Sequence, residues 1–438
     1  MGSSASRQDD KKRNFLFTNE DQHLHNIFRS MCADKGNKCS EKCLKNFWEK
    51  QLDKDLLTLL VNYLSGGSNG TVSFDDFAKL YVYLTRGSCG EKADVIFSIL
   101  KSNKDGGDVS SKDVIEYVHS VVSTFFKISE GEGGEALGSW ARARCPRMDE
   151  ETHRLACTWC RRLATESGPV GRDALEEWLR RAPEFCSVQA HVVLRLYRLG
   201  EEDRALLPRC EVPAALKGFP SVLDLSHVLF LNAALPSALQ AEWRLLFSTA
   251  LHGESFSKMV GHILGQGPTL LIVRDGGGHI FGGFASESWK ISPNFLGDSS
   301  CFLFTVTPSM GVYETTGYND HYQYLNIQQQ TMPNGLGMGG QFKYFGLWLD
   351  AEFGHGHCSE TCTTYKNCPM LSSDKHFAVG HAEVWALGPP PKPEGDDDDE
   401  EGGKKSVLDV DLGAKALLEL VGRSQHSEGI RQLEAEED

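Results

Sequence analysis

The sequence predicts an α+β protein with a helical N-terminal half, a β-rich domain and one further helix near the C-terminus. Apolar residues at helical spacing, such as Leu24, Ile27 and Phe28, recur through the first half. Short, strongly apolar segments with turn residues between them follow, and an acidic stretch then sets apart a last apolar segment. We expect these parts: a basic N-terminus (1–14), an EF-hand-like helical region (15–130), a helical connector (131–220), the β-rich domain (221–388), an acidic linker (389–405) and a C-terminal helix (406–438).

Composition narrows the class of function. The 438 residues carry a formal net charge of -15, which argues against nucleic-acid binding because a phosphate backbone attracts a basic surface. The 13 cysteines accompany no secretory signal, so we expect reduced thiols and a cytoplasmic or nuclear protein. No apolar run reaches the length of a membrane span.

The first residues, MGSSAS, fit the pattern for myristoylation of Gly2. A single myristoyl chain holds a membrane only marginally, and a basic patch is one way to add the second signal. The basic residues that follow are Arg7, Lys11, Lys12 and Arg13. We therefore expect a lipid anchor supported by charge; the alternative is a solvated basic run without a lipid.

Two loops within the helical region have EF-hand spacing: SGGSNGTVSFDD (65–76) and SNKDGGDVSSKD (102–113). Both have glycine at the sixth place and aspartate at the twelfth, but neither has a carboxylate at the first, third or fifth place. Candidate oxygen ligands are Asn69, Asp76, Asp105 and Asp113. We expect the helix-loop-helix units to persist with calcium affinity largely lost, and a calcium sensor stays open as an alternative.

The β-rich domain is organised around a hairpin at TLLIVRDGGGHIFGGFA (269–285), where Asp275-Gly276 supplies the turn. Upstream, Phe256 and Met259 share the buried face of a helix. A regular pleat cannot bury Phe281 and Phe284 on one face. We therefore expect both in the core through a bulge at Gly282-Gly283.

Four motifs could suggest chemistry, and each has a plainer interpretation. GGSNG (66–70) lies between helices, unlike a nucleophile elbow, and GLGMGG (335–340) leads into a strand, so we interpret it as a structural loop. CTWC (157–160) lies in a helical stretch and lacks a second pair for zinc. The last motif, HGHCSETCTTYKNC (355–368), matches no compact zinc module. Its potential ligands are His355, His357, Cys358, Cys362 and Cys368.

After Gly388 the chain becomes PPPKPEGDDDDEEGGKK, whose like charges repel each other and bury nothing. The apolar segment beyond it is long enough for one helix, and such a helix needs a partner surface because it is marginal alone in water. We expect it to dock on a partner through Leu408, Leu412, Leu417 and Leu420.

Four segments also carry a family resemblance: LFSTALHGESF, GPTLLIVRDGGGHIFGGFASESW, NGLGMGGQFKYFGLWLD and HAEVWAL, all in order within 221–388. They are similar to the TLDc domain family. The resemblance implies a β-sandwich with flanking helices, no established active site, a link to oxidative-stress resistance and binding to the vacuolar proton-pumping ATPase (V-ATPase).

The whole chain resembles a myristoylated, lysosome-associated member of that family linked to TOR-kinase (mTOR) signalling. This implies a non-enzymatic regulator or adaptor, without a cofactor, on the cytoplasmic face of the lysosomal membrane. Its implied partners are mTOR pathway proteins, the V-ATPase and the membrane itself. The rival interpretation is a thiol-based protein that resists oxidative stress, which would need an accessible cysteine of low pKa.

Overall fold

A computed structural model describes residues 18–32, 38–66, 70–104, 107–131, 138–140, 149–165, 168–199, 206–212 and 221–391. Its elements fall into two compact units. One unit holds the helices of the first half and one later helix, and the other holds the large sheet with two short helices. Together they confirm the predicted α+β class.

The helical unit contains short paired strands between its helices. In chain order its elements are α1 (Thr18–Met31), β1 (Lys38–Ser40), α2 (Glu41–Trp48), α3 (Lys54–Ser65), β2 (Thr71–Ser73), α4 (Phe74–Arg86), α5 (Cys89–Ser102), α6 (Ser111–Gly131), α7 (Asp149–Trp159), α8 (Arg161–Thr165), α9 (Arg172–Arg180), α10 (Pro183–Leu196) and, after the strand β3 (Arg209–Glu211), α11 (Leu225–Ala234). No described helix is long and apolar enough to cross a membrane.

Aromatic packing and side-chain caps explain why these helices form where they do. The ring of Phe77 lies 4.5 Å from that of Tyr197, and the Tyr197 hydroxyl donates to the Phe77 carbonyl at 2.8 Å. Trp48 is buried against the same pair. The helix α5 begins with a capping box in which Ser88 and Glu91 each accept from the other's backbone N–H. Local capping sets the helix ends, while the shared aromatic core holds α2, α4 and α10 together.

The second unit is built on antiparallel strands with two short helices. They are β4 (Glu242–Ser248), α12 (Thr249–His252), α13 (Phe256–Ile263), β5 (Thr269–Asp275), β6 (Ile280–Ala285), β7 (Phe302–Thr307), β8 (Gly311–Glu314), β9 (Gln323–Asn326), β10 (Gly335–Gln341), β11 (Tyr344–Asp350), β12 (His355–Cys358) and β13 (His376–Leu387). Their order is β8-β7-β6-β5-β13-β12-β11-β10-β9, and β4 pairs with both β13 and β3.

The long strand β13 joins the two halves of this sheet, which face each other. Its first residues pair with β12, and its remainder pairs with β5 and β4. At Gly283 on β6 an added Cβ would lie 2.4 Å from the sulfur of Met338 on β10, so the halves approach closely there. The main apolar core contains residues of both halves, including Leu271, Phe281 and Leu347.

The predicted hairpin is present, but the predicted bulge is wrong. The strands β5 and β6 pair in unbroken register from Thr269 to Arg274, and the irregularity of β6 lies on its other edge, between Ile280 and Phe281. Both faces of β6 are buried. A regular pleat therefore buries Phe281 on one face and Phe284 on the other, and no bulge at Gly282-Gly283 is needed.

The prediction for the glycine-rich segment 335–340 is also wrong. We expected a structural loop, but these residues form most of β10, paired with both β9 and β11. At Gly337 an added Cβ would lie 2.6 Å from the Phe345 ring. The glycines therefore make room for aromatic rings of the neighbouring strand, and no helix follows to bind a phosphate.

Candidate functional site

Most predicted site residues lie outside the described part of the chain. These are Gly2, Arg7, Lys11, Lys12 and Arg13 at the start, Asn69 and Asp105 in the two loops, and Leu408, Leu412, Leu417 and Leu420 near the end. They remain predictions. The described candidates are Asp76 and Asp113, the twelfth residues of the two loops.

Both aspartates serve as helix-capping partners. The Ser73 hydroxyl donates to Asp76 at 2.7 Å, and the backbone N–H of Asp76 donates back to Ser73. Asp113 accepts from the backbone and hydroxyl of Ser110 and pairs with Lys104. Burial acts to raise the pKa of Asp113, but the hydrogen bonds from Lys104 and Ser110 outweigh it and hold that pKa below its usual value. Lys104, the third residue of the loop 102–113, thus pairs its ammonium group with Asp113. Calcium would need that carboxylate as a ligand.

The thiols lack the environment of a reactive cysteine. Each described cysteine whose pKa is displaced is displaced upward, with burial as the first cause. In CTWC, Cys160 is fully buried, and burial followed by the nearby Glu116 raises the pKa of Cys157. A peroxide-reactive cysteine requires the opposite shift.

The segment 355–368 does not gather its histidines and cysteines. On β12, His357 lies against the rings of Trp348 and His376, each 5.9 Å away between centroids. Its neighbour Cys358 alternates to the opposite side and joins the main core. The pleat of the strand therefore places the His357 imidazole and the Cys358 thiol on opposite sides of β12.

Sequence reasoning missed a buried serine, histidine and glutamate that the fold brings together from β4 and β13. The Ser248 hydroxyl lies 3.3 Å from Nε2 of His381, and the same nitrogen lies 3.5 Å from Oε1 of Glu383. A hydrolytic triad needs the base to use its two ring nitrogens separately, one for the nucleophile and one for the acid. Ser248 and Glu383 are moreover fully buried, so no substrate reaches the serine.

Glu383 instead binds residues at the start of the sheet unit. Its carboxylate accepts from the backbone N–H of Val222 at 2.9 Å, the Ser221 hydroxyl at 3.0 Å and the Trp385 indole at 3.1 Å. Ser221 and Val222 lie about 160 residues before Glu383 in the sequence, whereas Trp385 lies on the same strand as Glu383. Because one fully buried carboxylate accepts from donors so far apart in the sequence, it stabilises the start of the sheet unit against β13.

A second buried cluster lies in the helical unit, between α7 and the start of α11. Nε2 of His227 lies 3.2 Å from Glu151 and 3.5 Å from Asp224. Among the described residues this is the group whose acidic and imidazole ligand atoms all lie within 4.8 Å of one another. Nδ1 of His227 accepts from the backbone N–H of Asp224 at 3.3 Å, so a neutral ring carries its proton on Nε2.

In that tautomer Nε2 of His227 faces the carboxylates as a hydrogen-bond donor, so it cannot also ligate a cation there. The cluster is therefore a structural hydrogen-bond network. The hydrogen bond from His227 lowers the pKa of Glu151, whereas burial raises the pKa of Asp224. Arg154 pairs with the other oxygen of Glu151 at 3.3 Å. The cluster fixes the N-terminus of α11 to α7.

The described surface offers one concentrated aromatic feature, the tip of the β10–β11 hairpin. Gln341 pairs with Tyr344, so Phe342 and Lys343 form the connection. Phe342 is 37% and Tyr344 60% exposed. Lys343 has a φ of 74°, a left-handed conformation that non-glycine residues seldom adopt. We call Phe342, Lys343 and Tyr344 the aromatic tip.

A cavity flanks each side of the aromatic tip. One of about 540 Å³ is lined by Phe342, Phe295 and His321, with the Phe295 ring stacked on His321 at 4.3 Å between centroids. The other, of about 400 Å³, is lined by Tyr344, Glu360 and Lys375 among others. An exposed aromatic ridge between two grooves is typical of a surface that binds a protein partner.

Known proteins match this chain over different shares of its length. The TLDc domain family model matches residues 216–388. The MTOR-associated protein MEAK7 of Xenopus laevis is 35% identical over 471 aligned residues, which cover 100% of both chains. The protein of that name from Danio rerio is 48% identical over 60% of this chain and 58% of its own. Oxidation resistance protein 1 of Xenopus tropicalis is 39% identical over 43% of this chain and 20% of its own.

Proposed function

This chain belongs to the family of TLDc-domain proteins that includes the MTOR-associated protein MEAK7, and we propose that it acts as a non-enzymatic adaptor in mTOR signalling. The observation that carries the proposal is the length of the similarity. Proteins named for association with MTOR match the helical half as well as the TLDc domain, whereas Oxidation resistance protein 1 matches 43% of this chain.

We place this adaptor on the cytoplasmic face of the lysosomal membrane, with exchange into the cytoplasm. The family resemblance implies the lysosome, and the N-terminal pattern supports a membrane anchor, because Gly2, the candidate myristoylation site, precedes the basic residues Arg7, Lys11, Lys12 and Arg13. Each basic residue near an anionic surface contributes about 1 kcal/mol, and the acyl chain adds apolar burial. Two weak signals of this kind give stable but reversible attachment.

The adaptor is further proposed to bind the V-ATPase, as the TLDc resemblance implies. Two parts of the chain suit such a contact. One is the apolar C-terminal segment that contains Leu408 and Leu412, and the other is the aromatic tip. From the sequence we expect the run of like charge between the TLDc domain and the C-terminal segment to favour reach, because like charges repel each other.

A thiol-based oxidative-stress protein is the alternative that a specific observation favours, namely the match to Oxidation resistance protein 1. The cysteine environments weigh against it, since burial raises the displaced thiol pKa values. Peroxide consumption by the purified, reduced protein separates the two proposals. The adaptor proposal expects consumption no faster than that of an equal concentration of free cysteine.

The adaptor proposal is tested by recovery of MTOR with tagged variants in cells that lack the endogenous protein. A Phe342→Ser/Tyr344→Ser variant removes the aromatic tip, and Tyr318→Ser is the matched control. Tyr318 is 82% exposed and lines neither cavity. We expect MTOR to be recovered with the parent and the control and several-fold less with the double variant, at equal expression. No recovery with the parent would refute the adaptor function; equal recovery with all three would refute only the assignment of the aromatic tip.

A further inference from the structure

The two cavities beside the aromatic tip differ in charge. Among the described residues that line the cavity of about 540 Å³, Asp320 supplies the one carboxylate, and neither a lysine nor an arginine is present. The cavity of about 400 Å³ is lined by Lys375 as well as Glu360, so both signs of charge are represented there. We call the first cavity the Asp320 groove.

Two hydrogen-bond acceptors on neighbouring residues line the Asp320 groove. Asp320 is exposed, and none of the described residues forms an ion pair or a hydrogen bond with its carboxylate. Nδ1 of His321 lies 2.6 Å from the carbonyl oxygen of Gly340, which can only accept, so Nδ1 carries the proton. In the neutral ring Nε2 is then an acceptor. A ligand with several N–H donors and a positive charge complements this pair.

Stacked rings form the apolar wall of the groove. The His321 ring lies 4.3 Å from that of Phe295 between centroids, with 15° between the two planes. Phe295 in turn stacks on Phe342 at 5.4 Å and 20°. Phe342 is 37% exposed, so part of this ring surface remains open to a ligand. A planar cation can lie against such a surface, attracted by the electron density of the ring face.

The segment that carries the two acceptors is fixed to β10 before any ligand binds. The backbone N–H of Gly339 donates to the carbonyl of His321 at 3.1 Å. The fully buried Thr364 hydroxyl accepts from the backbone N–H of Gly340 and donates to the side chain of Asn319, both at 2.8 Å. Because these bonds already hold the segment, a ligand loses little free energy in ordering it.

We propose that the Asp320 groove binds an arginine side chain of the partner that contacts the aromatic tip, an inference that rests on the proposed adaptor function for that partner. The guanidinium lies against the rings of Phe342 and Phe295. Its N–H groups donate to the Asp320 carboxylate and to Nε2 of His321.

Arginine suits this groove better than lysine does. A guanidinium is planar and presents its donors in a fork, so it can stack on a ring and bind a carboxylate at the same time, whereas an ammonium group is a compact point charge. Arginine is also enriched at the centres of protein interfaces, together with aromatic residues. The net charge of -15 on the whole chain favours the approach of a basic partner segment in the same sense.

The first test uses the purified, full-length protein with isotope-labelled methionine methyl groups. Met332 lines the groove, so its methyl signal in an NMR spectrum reports occupancy, and Met332→Leu identifies that signal among the eight methionines. The probes are N-acetylarginine amide and N-acetylcitrulline amide, which has a similar shape without the positive charge. Asp320→Asn is the test variant. Glu360→Gln is the matched control, because Glu360 lines the cavity on the other side of the aromatic tip.

We expect the arginine probe to shift the Met332 signal saturably in the parent and in Glu360→Gln, with a dissociation constant on the order of 1–10 mM. Its affinity should fall several-fold with Asp320→Asn. The citrulline probe should bind the parent several-fold more weakly than the arginine probe does. Any of three results overturns the proposal: no shift, equal affinity for the two probes, or equal affinity of the parent and Asp320→Asn.

The second test separates the groove from the adaptor function. We expect several-fold less MTOR to be recovered from cells with Asp320→Asn than with the parent or Glu360→Gln, at equal expression. If the parent recovers no MTOR, the adaptor function fails, while the probe titration still decides whether the groove binds arginine. If the parent and Asp320→Asn recover MTOR equally, the partner places no arginine in the groove; the proposal is then overturned, and the adaptor function stands.

Discussion

The substitution Phe281→Ala tests the packing of the two sheet halves directly. Phe281 is fully buried on β6 and belongs to the main apolar core. Its ring meets that of Phe377 edge-on at 5.1 Å between centroids. The neighbouring Gly282 and Gly283 have no side chain of their own to fill the space, so we expect part of the cavity left by the ring to persist.

The expected loss follows from these contacts. Replacing a buried phenylalanine with alanine costs about 3–5 kcal/mol where the surroundings cannot collapse, and the edge-on pair with Phe377 is part of that loss. A value of about 4 kcal/mol in a unit of this size lowers its melting temperature by roughly 8–16 °C. The helical unit has its own core and should retain its own transition.

The assay combines thermal unfolding of the full chain with hydrogen exchange followed by mass spectrometry on peptides from 269–285. The matched control is Phe342→Ala, the same change at a position 37% exposed. We expect faster exchange in the hairpin and a lower melting temperature with Phe281→Ala, and a change of less than about 1 kcal/mol with the control. Equal effects of the two substitutions would show that Phe281 is not the core residue described above.

The remaining predictions concern the anchor, the C-terminal segment and the two buried clusters. Gly2→Ala should move the protein from lysosomal to soluble fractions without changing its melting temperature, and unchanged fractionation would refute the lipid anchor. Deleting 406–438 should weaken co-purification with the V-ATPase and leave stability nearly unchanged; a large fall in melting temperature would instead make the segment part of a core. Glu383→Gln should cost about 3 kcal/mol or more in urea unfolding, because buried donors lose a charged acceptor. Glu151→Gln should destabilise at pH 7: the folded pKa of Glu151 lies below its usual 4.5, so its stabilisation exists above that value and disappears as pH falls through the lowered pKa. The urea midpoints of Glu151→Gln and the parent should therefore converge below about pH 4.5, and a constant gap would refute the hydrogen bond from His227 to the Glu151 carboxylate as the source of the stabilisation.

The hairpin at 269–285 was predictable because its signals are local. An apolar run, an Asp-Gly turn and a second apolar run specify two paired strands whatever surrounds them. The bulge was predicted wrongly because its premise, that one face of β6 is the core, is not local information. Strand β6 lies inside the sheet between β5 and β7, and both of its faces are buried.

The buried polar clusters could not be predicted for the same reason. Ser248 and His381 are 133 positions apart, and Glu151 and His227 are 76 apart. No spacing in the sequence connects either pair, since each depends on which strands or helices become neighbours.

The distribution of polar groups itself favours an adaptor. In the described part of the chain, four carboxylates already stabilise the fold: Asp76 and Asp113 take part in helix capping, Glu383 accepts from three donors and Glu151 binds an imidazole. A catalytic acid must stay available to a substrate, so groups committed in this way are poor candidates. The sheet unit exposes the aromatic tip, whose turn at Lys343 has a left-handed conformation that costs free energy in the folded state. An exposed aromatic surface on a strained turn is available for contact with a partner, and the loss of MTOR recovery in the Phe342→Ser/Tyr344→Ser variant would measure that contact.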